Sequence, residues 1–208
     1  MGTRDQLSGL LRILDWAALL HEVGEQGAAF AAEAMTPGCR ARLAAELATG
    51  PYQRLSPVIG PVRQEAEAFV IPLARLKGYP VLAGLCAELV AAVHEHGVPQ
   101  WVPNEVAVQR YLPGSAGISP HRDRRRYAQL IALITVTGSA VFTLCRDRQG
   151  EPIRSWPASA GSLVLLRGSG LGGVADGRPM HAVAGPTARQ TPRISVGLRM
   201  DTAVVSGP

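Results

Sequence analysis

Residues 105–123 read EVAVQRYLPGSAGISPHRD. The run Glu105 to Tyr111 is strand-like, Pro113-Gly114 is a turn, and His121-Arg122-Asp123 follows as an H-x-D step. Further short β-rich runs lie downstream at Gln129–Thr137, Ala140–Cys145, Ser162–Leu166, His181–Ala184 and Arg193–Met200, with Gly or Pro in every gap. Many short strands after a helical half predict an α+β protein. The expected core is a jelly-roll or barrel-like double sheet, which we take as a double-stranded β-helix (jelly-roll, cupin-like), with the N-terminal helices packed on one face.

The first hundred residues read differently. From Leu7 to Met35 apolar residues recur at helical spacing, with Gly24 and Gly27 marking a break between two predicted helices. Another helix is predicted from Pro37 to Leu47, with Pro37 in the first turn, where its missing N–H costs nothing. Gly50 to Val62 reads as loop or short edge strands, and Pro80 to His96 as a helix stopped by Gly97. The chain has 208 residues, of which 47% are hydrophobic, enough for one sizeable core. We read 1–208 as one domain, with a mainly helical part at 1–100 and the jelly-roll core at 101–201.

The N-terminus is polar and no long apolar run follows it, so the expectation is a cytoplasmic protein without a membrane partner. Cys39, Cys86 and Cys145 are far apart and odd in number, which suits neither a disulfide framework nor a thiolate metal cage. The net charge of +5 comes from arginine, since Lys77 is the only lysine. With a pI near 9.6 the protein could meet an anionic partner, and Arg122, Arg124, Arg125 and Arg126 crowd the H-x-D step.

His121 and Asp123 lie two apart at a strand end and can face one ion, and His181 can join them from another strand. Two imidazoles and one carboxylate on one face of a metal leave three positions open, the arrangement of non-haem Fe(II) oxygenases. A surface H-x-D with His181 as a core histidine fits these residues equally well. His94 and His96 flank Glu95 on a helix, where side chains two apart diverge, and His21 reads as a helix-surface residue. Arg193, Ser195, Gly197 and Arg199 alternate along one strand and share a face, whereas Ile194, Val196 and Leu198 form the opposite, buried set. Two guanidiniums on a buried face need anions, and a dicarboxylate would meet that need, with Tyr111 adding a hydroxyl.

Gln109 to Gly114, Ile118 to Asp123, His181 and Arg193 to Arg199 together resemble the AlkB-like family of 2-oxoglutarate and Fe(II) dependent dioxygenases, over roughly residues 104 to 201. The resemblance implies that His121, Asp123 and His181 are catalytic and hold Fe(II). It implies that Tyr111, Arg193 and Arg199, with Gln109 and Ser195, bind 2-oxoglutarate. It further implies that O₂ is consumed while a substrate C–H bond is hydroxylated, or an N-methyl group removed. The chain departs from the family's nucleic-acid demethylases at Gln109, Ser195 and Gly197. It also carries Arg125 where the repair members have an acidic residue for base recognition.

With aromatics at only 5% there is little material for a base clamp, which favours a small-molecule or metabolite substrate. An alkylated nucleic acid is the alternative, and a non-catalytic binding protein on the same fold is the third. Arg125, Arg126 and Tyr127 are the candidate substrate contacts. The glycine-rich stretch 168–177 reads either as a mobile loop at the site mouth or as a plain strand connection, and Asp176 and Arg178 lie close enough in sequence to His181 to support it.

Overall fold

The computed structural model describes residues 9–203. Helix α1 spans Trp16–Gln26. Strand β1 (Ala28–Ala31), helix α2 (Pro37–Leu47) and the short strands β2 (Gln53–Arg54), β3 (Val58–Ile59) and β4 (Val62–Glu65) follow. Next come β5 (Glu67–Pro72), α3 (Leu73–Leu76) and α4 (Pro80–Glu95). The remaining strands are β6 (Glu105–Tyr111), β7 (Gly117–His121), β8 (Tyr127–Thr137), β9 (Ser139–Cys145), β10 (Pro152–Ser159), β11 (Leu163–Arg167), β12 (Met180–Val183) and β13 (Arg193–Asp201).

These strands build two antiparallel sheets. The larger runs β1-β11-β8-β13-β6-β5-β2, and the smaller β10-β9-β12-β7-β4-β3. Strand alternation gives the larger sheet two working faces. Val106, Val108, Leu130, Ala132, Ile134, Ile194, Val196 and Leu198 pack against Leu43, Leu82, Leu85 and Leu89 of the helices. Their neighbours Ile131, Val164 and Leu166 face the smaller sheet, where they meet Phe142, Leu144 and Trp156. The helices therefore cover one face, and the space between the sheets is left for the site.

Local chemistry sets the helices. Asp15 accepts from the Ala18 N–H and Thr36 from the Cys39 N–H, capping the starts of α1 and α2. Pro37 and Pro80 occupy the first turns of α2 and α4. The Glu46 carboxylate of α2 accepts from the Val81 and Leu82 N–H groups, 2.9 Å each, which satisfies two open donors of α4 and ties the helices together. No helix among the described residues is long and apolar enough to cross a membrane.

The second helix predicted before Met35 is replaced by a strand, and Leu7, where that prediction begins, lies outside the described residues. Gly27, at φ 83°, ends α1 in a left-handed cap. The chain then pairs with β11, Ala28 opposite Leu166 and Ala31 opposite Leu163. Ala28 is buried between the sheets and Ala29 against the helices, so pairing with an open sheet edge outweighs the helical preference of alanine. Strands β4, β5 and β10 add to those predicted, and β7 supplies the strand end expected at His121. Pro152 and Pro157 fit β10 because it is the edge of its sheet.

Glu46→Ala should remove both caps of α4 while leaving the fold intact. We expect a loss of about 1–2 kcal/mol in a urea titration, with the slope unchanged; an unaltered midpoint would show that the caps contribute nothing.

Candidate metal and anion site

Antiparallel pairing of β7 and β12 sets His121 opposite His181. The ring centroids lie 4.3 Å apart. The His121 Nδ1 lies 2.9 Å from the Ser119 carbonyl oxygen, and the His181 Nδ1 lies 3.3 Å from that of Pro179. With each Nδ1–H donated to its carbonyl, the two Nε2 lone pairs are left for a ligand. Asp123 lies just past the end of β7, and its Oδ2 is 3.6 Å from the His181 Nε2. One ligand atom from each of the three residues lies within 4.8 Å of the others. These distances suit a shared cation, and two imidazoles plus one carboxylate suit a divalent transition ion such as Fe(II).

Surrounding groups hold the triad in its charge state. Burial pushes the Asp123 carboxyl up, but His181, Arg199, His121 and Arg178 outweigh it and hold it below the usual carboxylate range. Burial, then His121, pushes the His181 imidazole down to about 4 against the pull of Asp123. Phe142 stacks on the His181 ring, 5.2 Å between centroids and 13° from parallel. His181 is thus kept neutral, the form that binds metal.

Arg178 adds a support that spacing only hinted at. It forks onto Asp176, Nε–Oδ1 and Nη2–Oδ2 both 2.7 Å, and donates through Nη1 to the backbone carbonyl of Asp123. The glycine-rich stretch before it is tied to β8 by Gly168 N–H to Gln129 O and Gln129 N–H to Ser169 O, 2.8 Å each. That stretch therefore delivers Arg178 to the carboxylate ligand.

The face of β13 predicted from its alternation lies between the sheets. Arg193 donates to the hydroxyls of Ser195 (3.3 Å) and Thr135 (3.1 Å), and its guanidinium lies 5.4 Å from the centre of the Tyr111 ring. Burial pushes its pKa down, with Tyr111 opposing. Among the described residues no carboxylate pairs with Arg193, and its buried Nε has no partner. A buried cation with no anion is costly unless a ligand supplies one. Arg199 differs, because Glu105 lies 2.9 Å from its Nη1 and also accepts from the Tyr127 hydroxyl at 3.0 Å. The demand for an external anion therefore falls on Arg193. Thr135 and Glu105 carried no motif in the sequence; only the register of β8 and β6 against β13 exposes them.

A cavity of about 360 Å³ opens onto the triad. Gln109, Tyr111, Tyr127 and Arg199 line it, as do Arg122 and Arg124. Of the other arginines in that run, Arg125 is exposed and absent from the cavity wall, and the Arg126 Nε lies 3.0 Å from Asp201. His94 and His96 serve structure, 2.8 Å from the carbonyls of Trp101 and Ala92.

The chain is similar to an oxidoreductase of the 2OG-Fe(II) oxygenase family from Burkholderia pseudomallei, with 12% identity and a TM-score of 0.65 over 92% of this chain and 93% of the other. The fold is that of the 2-oxoglutarate and Fe(II) oxygenases. A prolyl-4-hydroxylase from Pseudomonas putida is similar at 15% identity and a TM-score of 0.63, over 89% of this chain and 98% of the other. SnoN, a non-heme alpha ketoglutarate dependent epimerase from nogalamycin biosynthesis, is similar at 16% identity and a TM-score of 0.61, over 89% and 83%. No family model and no curated protein matches the chain.

Two outcomes follow from this geometry. Arg178→Ala should weaken Co(II) or Mn(II) binding by about 10- to 100-fold in a folded protein; unchanged affinity would mean that Arg178 does not position Asp123. The second concerns pH. An unfolded histidine protonates near 6.5 and buried His181 near 4, so between those values the unfolded chain binds more protons. Stability of the metal-free protein should fall as the pH falls from about 6.5 to 4, and His181→Asn should flatten that fall in a thermal-unfolding series. A wild-type Tm constant across the window would contradict the assignment.

Proposed function

We propose that this protein is a 2-oxoglutarate- and Fe(II)-dependent oxygenase acting on a small molecule. The observation that carries the reading is the meeting of His121, Asp123 and His181 in a cavity lined by Tyr111, whose ring centre lies 5.4 Å from the guanidinium of buried Arg193, which lacks an anion. When bound, iron and 2-oxoglutarate would couple the oxidation of a C–H bond by O₂ to the release of succinate and CO₂. His121, Asp123 and His181 would hold the metal. Arg193 would take the distal carboxylate of the cosubstrate, helped by the hydroxyls of Tyr111, Thr135 and Ser195. Gln109 and Arg199 stand on the cavity wall, where they would orient the cosubstrate. Neutral His181 and ionised Asp123 would accept the metal without first losing a proton.

The roles given to Tyr111, Gln109 and the β13 arginines rest on the AlkB-like pattern, which also supports a second reading, oxidative demethylation of alkylated nucleic acid. The basic pI of about 9.6 favours that reading. The cavity wall weighs against it. Its two tyrosines, Tyr111 beside Arg193 and Tyr127 bonded to Glu105, are both buried, so neither offers a free ring face to clamp a flipped base. SnoN, with the same fold, is a biosynthetic epimerase, which agrees with a small-molecule substrate. The complete triad argues against a purely binding role.

Succinate formation from 2-oxoglutarate under air should require Fe(II) and should vanish in His121→Ala and Asp123→Ala. Arg193→Lys should retain the fold and raise the half-saturating 2-oxoglutarate concentration by about tenfold or more, because a point charge replaces a two-pronged donor. Full activity in either triad variant, or an unchanged cosubstrate requirement in Arg193→Lys, would refute these roles.

A further inference from the structure

The mouth of the cavity has two walls of opposite character. One is aliphatic. Leu55, Ile59 and Val62, from the β2–β4 segment, share it with Val70 of β5. Ile59 is 51% exposed and Val70 57%. Large aliphatic side chains left open to water and gathered at one cavity mouth mark a surface that something apolar covers.

The other wall is cationic. Arg122 and Arg124 line it from the loop that follows β7, and neither forms an ion pair among the described residues. The carboxylates on the same cavity wall are already committed, Asp123 to the triad and Glu105 to Arg199. The nearest carboxylate that Arg122 feels is Asp176, which Arg178 already holds by both oxygens, and Arg124 forms no ion pair among the described residues, so the two guanidiniums leave this wall cationic. At about 360 Å³ the cavity lies near the small end of ligand sites, and a bound cosubstrate would occupy part of it. A short substrate fits what remains.

We propose that the substrate is a small amphipathic anion. Its non-polar body lies along Leu55, Ile59, Val62 and Val70, and its carboxylate or phosphate is held by Arg122 and Arg124. The inference rests on the oxygenase reading, and it specifies the substrate class of that same cavity. Arg122 and Arg124 are specificity-determining residues in this account, because a neutral analogue of equal length offers neither of them a negative charge.

Ligand-detected NMR tests this without turnover. Mn(II) replaces Fe(II), saturating 2-oxoglutarate fills the Arg193 cradle, and the probes are octanoate, octyl phosphate and octanamide. Paramagnetic broadening of the 2-oxoglutarate signals reports separately on the metal and cosubstrate site. Its absence would count against the oxygenase reading, while the probe affinities would still be read from saturation transfer. We expect octanoate or octyl phosphate to bind, with alkyl protons broadened by Mn(II), and octanamide to bind about five- to tenfold more weakly. Comparing the two anions distinguishes carboxylate from phosphate. In the double variant Arg122→Gln/Arg124→Gln the anions should fall to the affinity of the amide, and in Ile59→Ser all three probes should weaken together. Equal binding of anion and amide, anion binding untouched by the double variant, or displacement of the probe by single-stranded oligonucleotide would overturn the proposal.

Discussion

The register between β7 and β12 is the constraint on which the site depends. It places His121 directly across from His181, and a slip of one residue would turn one of the imidazoles to the opposite face of the sheet. Glycine makes this close approach possible. Gly117 has φ +77°, and a Cβ there would strike the Val183 carbonyl. Gly185 lies similarly against the backbone of Ser115. The segments that carry the two histidines are thus drawn together by backbone contact, and Asp123 completes the triad from the first turn beyond the strand.

Charge is distributed around this centre in a consistent way. Arg178 grips Asp176 and the Asp123 carbonyl, Arg199 has Glu105, and Arg126 has Asp201. Against these satisfied pairs, Arg193 stands out as a fully buried guanidinium supported only by hydroxyls and a tyrosine ring. Desolvating a cation without an anion destabilises a fold, and a carboxylate brought by a ligand would offset that cost. The helices contribute by covering the outer face of the larger sheet, which leaves its inner face free for polar side chains.

Much of this was legible in the sequence where side chains repeat with a period. Arg193, Ser195, Gly197 and Arg199 alternate against Ile194, Val196 and Leu198, and the strand has the two faces that this pattern demands. The H-x-D step and the late histidine were visible as donor types, and the predicted α+β jelly-roll class matches the observed sheets. Strand β1 was not legible, because Ala-Ala-Phe-Ala is compatible with helix and only the open edge of β11 decides otherwise. Thr135 and Glu105 could not be found either. They are common residues whose importance comes from lying across from β13, a non-local fact that no local spacing encodes. Within the arginine run, the direction in which the chain turns after β7 sends Arg122 and Arg124 to the cavity and Arg126 to Asp201.

The central claim is that one cavity binds a metal on the triad and a 2-oxo dicarboxylate beside it. The most direct measurement is an anaerobic optical titration of the purified protein, first with Fe(II) and then with 2-oxoglutarate. A weak visible charge-transfer band that needs both additions, and that is lost in folded His181→Ala, is the predicted result. A folded wild-type protein that binds Fe(II) but develops no band at saturating 2-oxoglutarate would contradict the account.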